Sequence, residues 1–383
     1  MGYMLHKQGG GLTTIAFLVL ANSVGAEVRS SHLTLDRAGL SRAQAEAART
    51  PPVAGSPPGR MVVETPFAFT AVAFLANRGS DGDLTVRVSR DGRVWSTALL
   101  VPDDEPNPPF NERGQTHPFA LDRVSALYFP ESLPSGPARF VAFEYVGAAN
   151  PPTRVTLHLI DAATSPERIG KRSIDDVTDE HALKPPLVRR AEWGARPPKY
   201  PYTLTLAKHL AIHHTAGVSD GLAPTTEECA ARVRAIQAFH QDTRDWNDVG
   251  YSYLICGTGE VFQAREDEDD ATDVWGAHDG FNRGSMSVSL MGYFHPPYNQ
   301  IPTTPMLDSL VRTLAWMADI RGVDPLDSSL YEAYGSLRTN IYGHREVRAT
   351  ECPGNIIFAI KDLIRFSVAE RLALYREGSS PVQ

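Results

Sequence analysis

Two domains are predicted: an all-β sandwich or jelly-roll domain, then an α/β domain with a central mixed sheet flanked by helices. Three observations predict them. The chain has 383 residues, more than one ordinary domain holds. Residues 61–163 carry short β-like runs with turn signals and no helical period, whereas from residue 188 to 376 strands alternate with helical patterns. Between them, residues 164–187 are polar and charged and contain Pro185-Pro186, as an interdomain linker would.

Composition narrows the class. The 42% hydrophobic content suffices for sizeable cores, and 21% charged residues is ordinary for a soluble protein. A net charge of −8 argues against a nucleic-acid binder that lives on phosphate contacts. Residues 1–26 read as a secretory signal peptide: Lys7 supplies a weak positive start, Leu12 to Ala21 the apolar run, and Val24-Gly25-Ala26 small residues for cleavage. An apolar run of 10 residues is too short to span a bilayer. No later segment reads as transmembrane, and no cysteine near the cleavage point indicates a lipid anchor. A secreted monomer, periplasmic or extracellular, without membrane anchor or nucleic-acid partner is expected.

Taken in order, residues 27–60 mix Arg, Ala, Ser and Pro without period and read as a linker or flexible arm. Phe67 to Leu75 alternates large and small apolar residues, Leu84 to Val88 follows, and Asp91-Gly92 is a hairpin signal before Val94-Trp95. Val124 to Phe129, Phe140 to Val146 and Val155 to Ile160 complete about six strands. This half offers no constellation of His, Cys or paired carboxylates, so it reads as a structural or binding module.

In the second half, Leu210 to His214 is a short apolar strand that ends in two histidines and breaks at Gly217. Thr225 with Glu228 forms a capping box, and the helix it opens puts Cys229, Val233, Ile236 and His240 on one face. Strands at Tyr251 to Cys256 and Glu260 to Ala264 flank a Gly257-Thr258-Gly259 turn. Glu266 to Asp270 is an acidic, solvated loop. A strand at Ser287 to Phe294, an amphipathic helix at Met306 to Ile320, a closing helix at Ile356 to Tyr375 and a tail at 377–383 follow.

The chemistry concentrates near the end. His344 and Cys352 stand eight positions apart in a Gly- and Pro-bounded segment, so imidazole and thiolate can swing onto one borderline-soft metal. A third ligand is available from His213 or His214, which point to opposite faces of their strand, and parity alone does not choose between them. Three protein ligands with one open position is the pattern of catalytic zinc. Cys229 and Cys256 then remain, either as two buried thiols or, as an oxidising destination favours, as a disulfide.

The second half resembles the peptidoglycan recognition proteins and the related type 2 N-acetylmuramoyl-L-alanine amidases, including phage lysozymes of the amidase kind. The similarity runs through Arg190-Ala191-Glu192-Trp193-Gly194-Ala195, Ile212-His213-His214-Thr215-Ala216-Gly217 and Trp246 to Ile255. It continues through Gly276-Ala277-His278 with Gly280 and Asn282, then Gly343-His344-Arg345, Thr350 and Cys352-Pro353-Gly354.

The resemblance implies one zinc ion per chain, held by His213, His344 and Cys352. It also implies that Tyr251 is the catalytic tyrosine and Thr350 an auxiliary polar residue where phage relatives carry lysine. His214, His278 and Asn282 would contact the substrate. That substrate would be peptidoglycan or its muropeptides, cut at the amide between the lactyl group of N-acetylmuramic acid and L-alanine. Relatives carry substrate-discriminating residues just past the position of Arg265, where this chain has Glu266-Asp267, so a stem-peptide preference does not transfer. A non-catalytic peptidoglycan-binding protein of the same fold is the alternative, and the presence of Cys352 argues against it. A zinc peptidase is a third reading, but the chain lacks His-Glu-x-x-His.

Overall fold

The computed structural model describes residues 28–49, 60–103, 115, 117, 119–120, 122–128, 137–162, 183–217, 225–265, 273–274, 276 and 280–378. The signal-peptide stretch, the acidic loop and His278 lie outside them.

The N-terminal domain contains β1 (Arg29–Leu35), α1 (Arg37–Arg49), β2 (Met61–Phe69), β3 (Ala71–Ala76), β4 (Asp83–Ser89), β5 (Leu99–Val101), β6 (Arg123–Tyr128), β7 (Ala138–Val146) and β8 (Val155–Asp161). They form two four-stranded antiparallel sheets, ordered β1-β8-β3-β6 and β2-β7-β4-β5. The alternation of large and small residues in β3 has a physical reason. Val72 and Phe74 fill the core between the sheets with Phe69, Phe143 and Leu157, while Ala71 and Ala73 turn outward onto the second domain. Small outward side chains let a helix approach closely.

Residues 29–49 correct the expectation of a flexible arm. β1 pairs with β8 along its whole length, from Arg29↔Asp161 to Leu35↔Val155, and α1 sets Leu40 and Ala43 into the sandwich core. The strand opens with four polar residues and alternates only over Leu33-Thr34-Leu35, and α1 sets only Leu40 and Ala43 into the core among its described side chains. Composition without period therefore hid both elements.

The second domain contains β9 (Leu187–Val188), α2 (Arg190–Trp193), β10 (Leu204–Thr205), β11 (His209–His214), α3 (Thr226–Ala238) running into a π-helical turn at Phe239–Thr243, β12 (Tyr253–Ile255), β13 (Val261–Gln263), β14 (Asp273–Val274) and β15 (Ser285–Leu290). After these come α4 (Thr304–Arg321), the hairpin β16 (Ser328–Tyr331) and β17 (Ser336–Thr339), β18 (Ile341–Gly343), α5 (Asn355–Ala359) and α6 (Lys361–Gly378). The main sheet has six strands in the order β18-β11-β15-β12-β13-β9 and is parallel except between β12 and β13. It is therefore mixed. α4 and α6 cover one face, where Leu310, Leu314, Trp316, Val368 and Leu372 join Leu210, Ile212 and Val288.

The domain starts before residue 188. Leu183 and Leu187 pack into this core, β9 pairs with β13, and the Arg312 guanidinium donates to the carbonyls of Leu183 and Lys184. Isolated leucines among prolines carry no periodic signal. The closing helix is also two helices, α5 and α6, with Ile360 between them.

Helix α3 opens with the expected capping box. Thr225 Oγ1 accepts from Glu228 N at 3.2 Å, and Glu228 Oε2 accepts from Thr225 N at 3.0 Å. It is buried on both sides, however, because the β1-β8-β3-β6 sheet covers the face turned away from the main sheet. Arg234 lies in that interface at 1% exposure and donates to the Ala162 carbonyl at 3.0 Å and the Trp193 carbonyl at 2.8 Å. A buried guanidinium with its donors satisfied avoids a large desolvation cost. Asp242 adds to the docking, accepting from Ser30 Oγ at 2.8 Å and Arg196 Nη1 at 2.7 Å. Cys229 of α3 and Cys256 after β12 are joined by a disulfide, with Cα atoms 6.0 Å apart.

Candidate metal centre

The parallel pairing of β11 with β18 builds the site. Ile212 lies opposite Gly343, so the strand ends release His213 and His344 side by side, with ring centroids 4.4 Å apart. The chain then turns through His344–Glu346 and returns, and Arg345 N donates to the Cys352 carbonyl at 2.9 Å. That return delivers the Cys352 thiol to within 3.5 Å of His213 Nδ1. Gly354 makes the close approach feasible. Its φ is 87°, and a Cβ there would sit 2.5 Å from the Phe294 carbonyl oxygen. Only glycine combines that backbone angle with that proximity.

His213, His344 and Cys352 are 2%, 7% and 8% exposed, and their donor atoms all lie within 4.8 Å of one another. A tetrahedral zinc holds nitrogen and sulfur donors roughly 3.3–3.6 Å apart, so the Sγ–Nδ1 separation already suits it. Two imidazoles and a thiolate are also a donor set of the right softness for zinc. The backbone N–H of His214 donates to Cys352 Sγ at 3.4 Å, a contact that favours the thiolate form. A second cluster, Cys229, Cys256 and Glu260, is no rival, because its sulfurs are consumed by the disulfide.

Strand parity separates the two adjacent histidines. Leu210 and Ile212 face α4 and α6, and His214 follows them, its ring 6.2 Å from Phe294 and 5.8 Å from Tyr293. Burial, with the charges of His295, Arg345 and His344 adding to it, pushes its imidazole down to about 3, so it is neutral. At 6% exposure its side chain faces this core. Asn282 lies away from the donor cluster. It precedes Ser285, which pairs with His209, so it sits at the end of the sheet opposite His213. A loop motif carries no information about which sheet end it will reach.

Tyr251 does join the cluster. It is half-buried just ahead of β12, and its ring centroid lies 5.5 Å from that of His213. The Thr350 hydroxyl accepts from Cys352 N at 3.3 Å, which anchors the ligand loop. Sequence reasoning singled out neither His295, whose Nε2 is 3.3 Å from Glu351 Oε2, nor the surroundings of His240. His240 was legible only as an inward helix position. Its Nδ1 accepts the Gly250 N–H at 3.1 Å, directly before Tyr251.

Comparison with known proteins places this geometry in context. Residues 204–355 match the family described as N-acetylmuramoyl-L-alanine amidase, and that segment contains His213, Tyr251, His344, Thr350 and Cys352. Peptidoglycan-recognition protein SC1a/b of Drosophila simulans is 35% identical over 176 residues, which is 45% of this chain and 82% of that protein. Mus musculus N-acetylmuramoyl-L-alanine amidase is 34% identical over 182 residues, 45% of this chain and 30% of that protein. Among solved structures, wild-type Drosophila PGRP-LB aligns at 32% identity with a TM-score of 0.36, covering 45% of this chain and 91% of that one.

Proposed function

Because this chain belongs to the peptidoglycan-recognition protein family, we propose that it is an exported zinc-dependent N-acetylmuramoyl-L-alanine amidase. In this reading it hydrolyses the amide between the lactyl group of N-acetylmuramic acid and L-alanine of the peptidoglycan stem peptide. The single observation that carries the reading is the convergence of His213, His344 and Cys352 onto one buried point.

Those three residues would hold the metal, leaving a position for water and substrate. Bound zinc supplies a water of lowered pKa and polarises a carbonyl oxygen. Tyr251 has the role of hydrogen-bond donor to the carbonyl oxygen as it gains negative charge, which its position beside His213 supports. The His214 amide donates to the Cys352 sulfur that would bind the metal, and Thr350 holds the loop on which Cys352 stands. Burial of the donor set excludes bulk water, so each of these dipoles acts in a low dielectric. The Cys229–Cys256 disulfide supports an oxidising destination outside the cytoplasm.

The test is digestion of purified peptidoglycan followed by mass analysis of the fragments. Amidase action releases intact stem peptides and peptide-free glycan. Cuts within the stem peptide would identify a peptidase instead, and tight binding without products would identify a recognition protein that lacks catalysis.

A further inference from the structure

His240 lies in the π-helical turn that ends α3, is 5% exposed, and has no part in the chemistry described so far. Besides a ring contact with Phe239 at 5.7 Å, its contacts lead toward Tyr251. Nδ1 accepts the Gly250 N–H at 3.1 Å, which ties down the peptide unit next to Tyr251. The ring packs on Trp246 with centroids 4.6 Å apart and meets the Tyr251 ring edge-on at 5.6 Å. Its own carbonyl accepts from Trp246 N at 3.0 Å, closing the loop from the other side. A neutral imidazole that accepts at Nδ1 carries its proton on Nε2. Burial, with the guanidiniums of Arg244 and Arg265 adding to it, holds the ring well below its ordinary range and so keeps it neutral.

The turn itself is fixed from the first domain. Thr243 Oγ1 meets the His158 imidazole of β8, and Asp242 takes hydrogen bonds from Ser30 and Arg196. Single π-turns recur at functional sites because they re-aim one side chain within a helix. Here that side chain is the one that meets the Gly250–Tyr251 segment.

We propose that His240 is the positioning residue for Tyr251, fixing the Gly250–Tyr251 backbone and the phenol ring against the His213 side of the metal centre. This rests on the role given to Tyr251 above. A catalytic donor displaced by about 1 Å can lose on the order of a hundredfold in rate, so a single buried backbone anchor next to it is consequential.

The test uses the full-length, zinc-loaded protein acting on muropeptides, with zinc content and thermal midpoint recorded for every variant. His240→Leu removes the acceptor and should lower kcat by at least about tenfold, with KM and zinc content unchanged. His240→Asn can accept the same Gly250 N–H through Oδ1 and should recover most of that turnover. In a Tyr251→Phe background, His240→Leu should cost no more than about twofold, because the two substitutions disable one function.

Full kcat in His240→Leu, or an undiminished loss in the Tyr251→Phe background, overturns the proposal. Should His240→Leu fail to fold, His240→Asn decides: folded protein with turnover as low as Tyr251→Phe overturns it, and near-normal turnover upholds it. Wild-type turnover in Tyr251→Phe alone overturns the role of Tyr251 and this proposal with it. Additive losses overturn only this proposal.

Discussion

Cys352 Sγ rests 3.5 Å from His213 Nδ1, across a sequence separation of 139 residues. His344 completes the trio from the end of the strand beside β11. Three groups brought this close from three segments are expected to bind about one zinc per chain, measured by elemental analysis. Cys352→Ser should lose zinc and hydrolysis together while the disulfide and far-ultraviolet circular dichroism stay unchanged. Chelation should do the same to the native chain. Full hydrolysis after either treatment would sink the zinc reading.

Tyr251 offers a sharper measurement. Removing one hydrogen-bond donor to a developing oxyanion costs on the order of a hundredfold in kcat. Tyr251→Phe is expected to show that loss with zinc content intact. Unchanged turnover would make the ring a packing element only.

Much of this was legible before the structure. The histidine-cysteine spacing and the histidine-ended strand narrowed the donors to His344, Cys352 and one of His213 and His214, because short-range chemistry leaves a local signature, and the family resemblance pointed to His213. The capping box of Thr225 and Glu228 was equally readable. What was not legible depends on long-range register. Nothing local in Asn282 tells which end of β15 it stands at. Nothing in the Arg29 to Leu35 run says that β8 waits for it. The double burial of α3 was hidden for the same reason, since Ala71 and Ala73 match a helix contributed from another domain.

Acid should weaken the chain at the domain interface. His32 and His158 lie opposite each other on β1 and β8 and stack with centroids 4.1 Å apart. Burial first, and the neighbouring His32 and Arg196 after it, push His158 down to about 3 against the pull of Asp242, and burial lowers His32 as well. The folded state therefore binds these protons less readily than the unfolded chain. The stability contributed by His158 is complete above about pH 6.5 and falls as pH drops below it toward 3, with a limiting slope of about 1.4 kcal/mol per pH unit. Denaturant midpoints from pH 7 to 4 should fall for the native chain and fall less for His158→Gln. An equal pH dependence in both would refute the assignment.

The disulfide makes the last quantitative expectation. Its cysteines are 27 positions apart, and constraining a loop of that size stabilises the fold by about 3–4 kcal/mol in the chain-entropy account. Reduction, or Cys229→Ala with Cys256→Ala, should lower the unfolding free energy by that order. Thiol titration of the unfolded, unreduced protein should find Cys352 alone.

At β3 and β8 the sheet is covered on both sides. One side holds the sandwich core and the other is pressed on α3 through Ala71, Ala73 and Ile160, with Arg234 reaching across to Ala162. Cutting the chain between residues 163 and 182 would thus strip two apolar surfaces bare at once, leaving an α3 that presents a buried guanidinium to solvent and a sheet that presents alanines. Expressed from residue 183 onward, the second domain is therefore expected to be less soluble than the full chain, because α3 would meet water with the face that Ala71 and Ala73 now cover.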